Sequence, residues 1–228
     1  MSAKYHSLSH SSTHDGNHPV SSFFRYYTGT ILRPHRTFSE LLEDNRRLQF
    51  GFWALAINAL LYAMVYVFLA HGGGAPSSFP PWLAISREEF YQYDRFILAP
   101  SMFGCWILAA GVAQLLSKAF SGKGMFEDML SVFGYAISIA CLASLLHDLP
   151  DSFLGAIGLI NLREYEIALN SPTVWRTILL TLYSISIVWF IVLFTEGVAA
   201  AQRMRRGPAF VVALCAYIYQ GVFLIFNR

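Results

Sequence analysis

Residues 129–146 run for 18 positions without a formal charge. As a helix rising 1.5 Å per residue, such a run approaches the roughly 20 apolar residues that cross a bilayer core. It is entered through a glycine-flanked turn, Gly122-Lys123-Gly124, followed by Glu127 and Asp128, and is predicted to stop at His147-Asp148-Leu149-Pro150. Within it Ala136, Ala140 and Ser144 recur at four-residue spacing, and Gly134 and Ser138 repeat that spacing beside them. On a helix these five residues form one narrow face against which another backbone can come close. Membrane helices bind one another that way, because lipid leaves no hydrophobic effect between them. The stretch therefore predicts the central helix of a membrane bundle.

The rest of the chain agrees. With 55% hydrophobic and 13% charged residues and a mean hydropathy of +0.46, it departs from soluble domains, which carry nearer ~25% charged residues. Further apolar runs give an all-α, five-span reading with spans at about 50–70, 95–120, 128–147, 177–200 and 209–226. The expected surroundings are the lipid bilayer, with partner subunits or further copies of the chain. A net charge of +2 argues against a nucleic-acid partner. Cys105, Cys141 and Cys215 each fall inside a span and read as small packing residues.

Residues 1–19 form a polar tail with His6, His10, His14 and His18 every four positions. Ser, Asn, Gly and Pro fill the gaps, which favours disorder over a metal-gripping helix. The tail lacks the apolar core and cleavage site of a signal peptide. Residues 20–48 predict two cytoplasmic interfacial helices ahead of the 49–228 membrane domain. Val20, Phe23, Phe24, Tyr27 and Ile31 share one helical face, with Arg25 and Tyr26 off it. Thr37 with Glu40 reads as a capping box starting the second helix, which runs to about Arg47 with Phe38, Leu41 and Leu42 toward lipid or the bundle. His71 and the three glycines after it read as a loop, since no Gly-x-Ser-x-Gly elbow accompanies them. Trp82, Tyr91 and Tyr93 suggest an aromatic belt. The apolar residues 153–160 are too few to cross and suggest an interfacial or re-entrant piece.

Five spans leave Lys4, Arg25, Arg33, Arg36, Arg46, Arg47, Lys118, Lys123, Arg203, Arg205 and Arg206 on one side. Only Arg87, Arg95, Arg163, Arg176 and Arg228 lie on the other. Eleven against five basic residues puts the N-terminus in the cytoplasm and the C-terminus outside, in a membrane read as the bacterial cytoplasmic one.

Pro34, Thr37 and Phe38 precede span one, Tyr91 and Tyr93 precede Pro100, and Gly122-x-Gly124-x-Phe126 leads into Val132-x-Gly134-Tyr135-Ala136. On these residues the chain, over roughly 31–228, resembles the Yip family of Ypt-interacting membrane proteins, including its bacterial members. The resemblance implies five spans with the N-terminus inside, and trafficking or GTPase-associated roles for eukaryotic relatives. The family often has a proline shortly after the Tyr-Ala of span three. Here Ile137, Ser138, Ile139 and Ala140 stand in that region, which leaves a kink of span three open.

Polar residues inside spans are the candidate functional groups. Glu196 lies one turn from the end of span four, with Arg203 seven residues on as an ion-pair partner. Asn58, Gln114 and Gln220 are neutral groups of the kind that join helices. His147, Asp148 and Asp151 read as a wet helix end. No zinc-protease, phosphate-loop or Ser-His-Asp set occurs, so neither an enzyme nor a cofactor is expected. These features suggest a non-catalytic scaffold or accessory subunit of a membrane assembly. The alternative is a small transporter, channel or lipid translocator using Glu196 and the polar residues of the spans. A carrier needs those groups converging on a wet cavity, whereas a scaffold holds them against helices.

Overall fold

The apolar runs fold as helices throughout the computed structural model, which describes residues 19–76 and 85–227, with side chains through residue 222. The four histidines of the tail and Trp82 lie outside the described residues. Chain order is α1 (Pro19–Leu32), α2 (Pro34–Glu43), α3 (Arg47–His71), a 3-10 turn at Arg87–Glu89, α4 (Phe90–Ala119), α5 (Phe126–Ala140), α6 (Leu142–Ala156), α7 (Leu162–Ala168), α8 (Val174–Gln202) and α9 (Arg206–Asn227). Among the described residues, three helical stretches are long and apolar enough to cross a membrane: α3, the 3-10 turn with α4, and α8. The pair α5 and α6 makes a fourth if its two halves are one bent span.

Contacts at the two ends show that successive long elements run antiparallel. At one end the start of α3 meets the start of α5 through Arg47 and Asp128, and the end of α4 meets the end of α8 through Gln114 and Gln202. At the other, Phe68 near the end of α3 packs on Phe153 of α6, and Gln92 at the start of α4 donates to the Ala70 carbonyl at 3.0 Å. The basic residues from Arg25 to Arg47 thus share an end of the bundle with Lys118, Lys123 and Arg203 to Arg206.

α5 is the buried axis, with every residue from Ser131 to Ala140 shielded from solvent. Its small side chains let α3 come close: a Cβ added to Gly51 would stand 2.6 Å from the Ser131 carbonyl oxygen. Across the helix, Phe133 stacks on Phe194 of α8 with ring centroids 4.0 Å apart. The run does not end at His147-Pro150. After a 49° bend at Cys141 it continues as α6 through Pro150 to Ala156. The kink that the missing proline left open is therefore present, and a serine lies beside it. Ser144 Oγ donates to the Cys141 carbonyl at 3.0 Å, a side-chain bond of the kind that bends helices.

The N-terminal helices differ from their sequence reading in two ways. α1 meets the bundle through Ser22, Tyr26 and Thr30 together with Phe23 and Tyr27 of the expected face, while Val20, Phe24 and Ile31 are exposed. Tyr26, set aside by the periodicity, is buried against Phe50 and Tyr135, and its hydroxyl donates to Asp44 at 3.2 Å. A polar tip on a large ring lets tyrosine bury where a plain hydropathy pattern does not place it. α2 begins at Pro34, whose fixed φ and missing N–H suit a first turn. No capping box forms at Thr37, which is instead buried within α2 against α1, where a Cβ on Gly29 would lie 2.6 Å from its hydroxyl oxygen. Phe38 and Leu41 are fully buried. They face the bundle, with a Cβ on Gly197 of α8 3.7 Å from Phe38.

Candidate functional site

Polar chemistry collects at the two ends of the bundle. At the basic end, Gln202 is fully buried where α8 stops. Its Oε1 accepts from the Gly124 amide at 3.1 Å, its Nε2 donates to Gln114 Oε1, and its carbonyl accepts from Lys123 N at 3.1 Å. Gln114 in turn donates to the Gly124 carbonyl at 3.0 Å, and Lys118 Nζ donates to the carbonyls of Gly122 and Gly124. Both glycines are needed for closeness: a Cβ on Gly124 would collide with the Ala201 carbonyl, and one on Gly122 would lie 2.7 Å from Gln202 Oε1. The Gly122-x-Gly124 turn is thus fastened to the C-terminus of α8.

Glu196 joins three helices. Its Oε1 is 2.9 Å from Arg206 Nε on α9, and its Oε2 is 3.1 Å from His35 Nδ1 on α2. Arg206, not Arg203, is its basic partner. Arg203 terminates α8 in the left-handed region at φ 53°, so the chain turns there and the helical seven-residue spacing no longer applies. Asn58 donates to the Ser138 carbonyl at 3.0 Å, and the Ser138 hydroxyl is 3.0 Å from that of Tyr27. The hydroxyls of Ser144 and Tyr62 lie 2.5 Å apart. Gly134, Ala136 and Ala140 complete the buried face.

At the other end, a cavity of about 730 Å³ opens among α3, α4, α6, α7, α8 and α9. It reaches the α5–α6 bend, where Ile137, Cys141 and Ser144 line it. His147, expected at a wet helix end, is buried on its wall: Nδ1 is 3.1 Å from Asp148, and Nε2 is 3.1 Å from both Asp151 Oδ2 and the Tyr165 hydroxyl. Tyr165 donates to Asp151 at 2.6 Å and Tyr183 to Asp148 at 3.1 Å. Gln220, from the candidate list, also lines the cavity, whereas Asn58, Gln114 and Glu196 do not.

The sequence reading passed over Glu166, on α7. It is buried, takes a 3.0 Å hydrogen bond from Tyr91, and sits close to Gly74, where a Cβ would lie 3.2 Å from Oε1. Tyr91 is accordingly buried rather than part of a surface belt, while Tyr93 is exposed. Burial disfavours the carboxylate and pushes the Glu166 pKa up to about 7, against the lowering effects of Tyr91, Arg87 and the Ala75 amide. Burial also raises the Tyr165 phenol, with Asp151 adding to it. No local pattern marks Glu166, because its burial comes from residues 75 positions away.

The Yip1 domain family model matches residues 28–226. A stretch of 119 residues, 51% of this chain, is 22% identical to a sulfate transporter of Equus caballus, of which it covers 16%. The chain therefore spans well under two thirds of that relative's length. No solved structure matches the chain.

Proposed function

We propose a non-catalytic membrane role for this chain, which belongs to the Yip1 domain family: that of a helical scaffold or accessory subunit within a larger membrane assembly. It is an integral membrane protein built of apolar helices. The observation that carries the proposal is the fate of the polar groups inside the helices. Asn58 ties α3 to α5, Gln114 ties α4 to the Gly124 turn and α8, and Glu196 ties α8 to α2 and α9. A carrier working through these residues would bring them together on one path, and they lie in three separate helix junctions. α8 adds support, since only 17% of its most apolar window is buried inside the chain, leaving a long apolar wall for lipid or a partner helix.

The proposal includes five spans, with α5 and α6 as one bent span and α9 as the fifth. It puts the N-terminus in the cytoplasm of a bacterial cell and the C-terminus outside. The sulfate of the matched transporter's name does not carry over easily. A dianion in the cavity would meet Asp148, Asp151 and Glu166.

The test is photo-crosslinking from Ile178, Ile185 and Val188, all exposed on α8, in native membranes, with mass spectrometry after mild detergent extraction. The scaffold reading expects one dominant protein adduct. Lipid adducts alone, together with solute flux in reconstituted vesicles, would overturn it. Cysteine labelling at Ser171 in intact cells, and at Ser121 only after permeabilisation, is the expected result for the orientation.

A further inference from the structure

We infer that the junction of α1, α2, α8 and α9 at the basic end of the bundle is a docking surface for anionic phospholipid. Glu196 assembles it. Its bonds to His35 on α2 and Arg206 on α9 bring residues 33–40 and 203–206, far apart in the chain, to one edge of the protein. These two segments carry Arg33, Arg36, Arg203, Arg205 and Arg206, all exposed, against the carboxylates of Glu40 and Glu196. Both carboxylates are taken, Glu40 by Arg36 at 2.7 Å and Glu196 by Arg206 at 2.9 Å. Among the described residues, Arg33, Arg203 and Arg205 have no ion-pair partner. The edge therefore offers cations that the protein itself does not neutralise.

Apolar surface lies directly beside the arginines. Ile31 and Leu32 precede Arg33, Phe210 and Val211 follow Arg206 by about one turn of α9, and all four are exposed. They stand alongside the bundle rather than beyond its end. α9 is the fifth span of the proposed topology, and α1 runs beside α5, since the Tyr27 hydroxyl is 3.0 Å from that of Ser138, two residues before α5 ends. An acidic protein segment would answer the guanidinium groups and leave this apolar surface unused. A phospholipid answers both. Its phosphate takes paired N–H bonds from arginine, its acyl chains run beside Ile31, Leu32 and Phe210, and a net negative headgroup meets the unneutralised cations.

This inference does not rest on the scaffold reading, and the full-length chain in neutral detergent tests it. Phosphatidylglycerol and phosphatidylcholine with the same acyl chains are titrated separately, each bound lipid being resolved by native mass spectrometry. Phosphatidylglycerol should bind at least tenfold tighter. A basic residue near an anionic surface is worth roughly fivefold in affinity. Arg33→Gln combined with Arg205→Gln should therefore weaken phosphatidylglycerol tenfold or more, while phosphatidylcholine binding and the helical circular dichroism stay those of the parent. Equal binding of the two lipids by the parent overturns the surface, and so does a folded double variant whose preference is undiminished. Glycerol phosphate, the headgroup without chains, should compete far more weakly than the lipid, and equal competition overturns the lipid assignment. A photoreactive residue at Leu32 in native membranes gives a reading even if the double variant fails to fold. Adducts with anionic lipid are expected, and a protein adduct alone overturns the inference.

Discussion

Gly134 on α5 lies directly against Gly51 on α3, so closely that a Cβ on Gly134 would collide with the Gly51 carbonyl oxygen. The two backbones touch about one turn into α3, and neither helix can yield there without moving the other. α3 also holds Asn58 against Ser138 one turn beyond Gly134.

Gly134→Ala should therefore force α3 and α5 apart. Overpacking a close contact costs about 1–3 kcal/mol, and thermal unfolding in detergent should show a lowered midpoint. Gly111→Ala is the reference, since an added Cβ there meets nothing within 4 Å. Alanine is the better helix former by up to ~1 kcal/mol, so that variant should melt at or above the parent. Equal midpoints for Gly134→Ala and the parent would mean that the contact is looser than described.

Gln202→Ala removes the group that fastens the 122–124 turn to α8. It leaves the Gly124 amide and Gln114 without their partner. A buried polar group left unpaired costs about 1–3 kcal/mol. Hydrogen exchange across residues 122–124 should speed up by tenfold or more, while exchange at the centre of α5 changes little. Unchanged protection of the turn would show that Lys118 and the backbone bonds suffice.

The packing face of α5 was legible because small residues at four-residue spacing are a local pattern that survives into the fold. The Gly122-x-Gly124 turn was legible for the same reason, although its partner Gln202 was not. Three readings failed where a local rule met a tertiary one. Thr37 and Glu40 have capping-box spacing, but Pro34 starts the helix earlier. Arg203 has helical spacing from Glu196, but the left-handed turn at that residue ends the helix. Tyr91 resembles a belt residue, but Glu166 accepts its hydroxyl inside the protein. Glu166 itself was out of reach, because a charged residue on a seven-residue helix looks like solvent-facing surface until Gly74 and Tyr91 close over it.

The raised pKa of Glu166 makes stability depend on pH in a defined direction. Its carboxyl moves from a reference of 4.5 up to about 7 on folding, so the folded state holds the proton more tightly than the unfolded one. The associated stability is fully present below pH 4.5 and is lost as pH rises through about 7. Glu166→Gln keeps an acceptor for Tyr91 and cannot titrate. Between pH 5 and 8 the parent should lose ~2 kcal/mol relative to this variant. Parallel stability curves for the two proteins would place the carboxyl in a wetter setting. Using the difference between them cancels His147 and the other groups that titrate in the same window.

Glu196→Gln tests both the ion-pair assignment and the choice between scaffold and carrier. Glu196 is mostly buried, with a side-chain exposure of 14%, but its partners are wet, His35 at 54% and Arg206 at 68%. Pairs of that kind contribute about 0–1 kcal/mol and weaken as salt rises. The variant should therefore fold, with a small loss in stability or assembly that shrinks at high salt. Arg206→Gln should reproduce that loss, whereas Arg203→Gln should not. A loss with Arg203→Gln equal to that with Arg206→Gln would restore the seven-residue pairing suggested by the helical spacing. On the carrier reading, removing the charge would abolish a proton or cation flux while folding survived. Reconstituted vesicles that leak ions with the parent and not with Glu196→Gln would replace the scaffold with a conduction path through this end of α8.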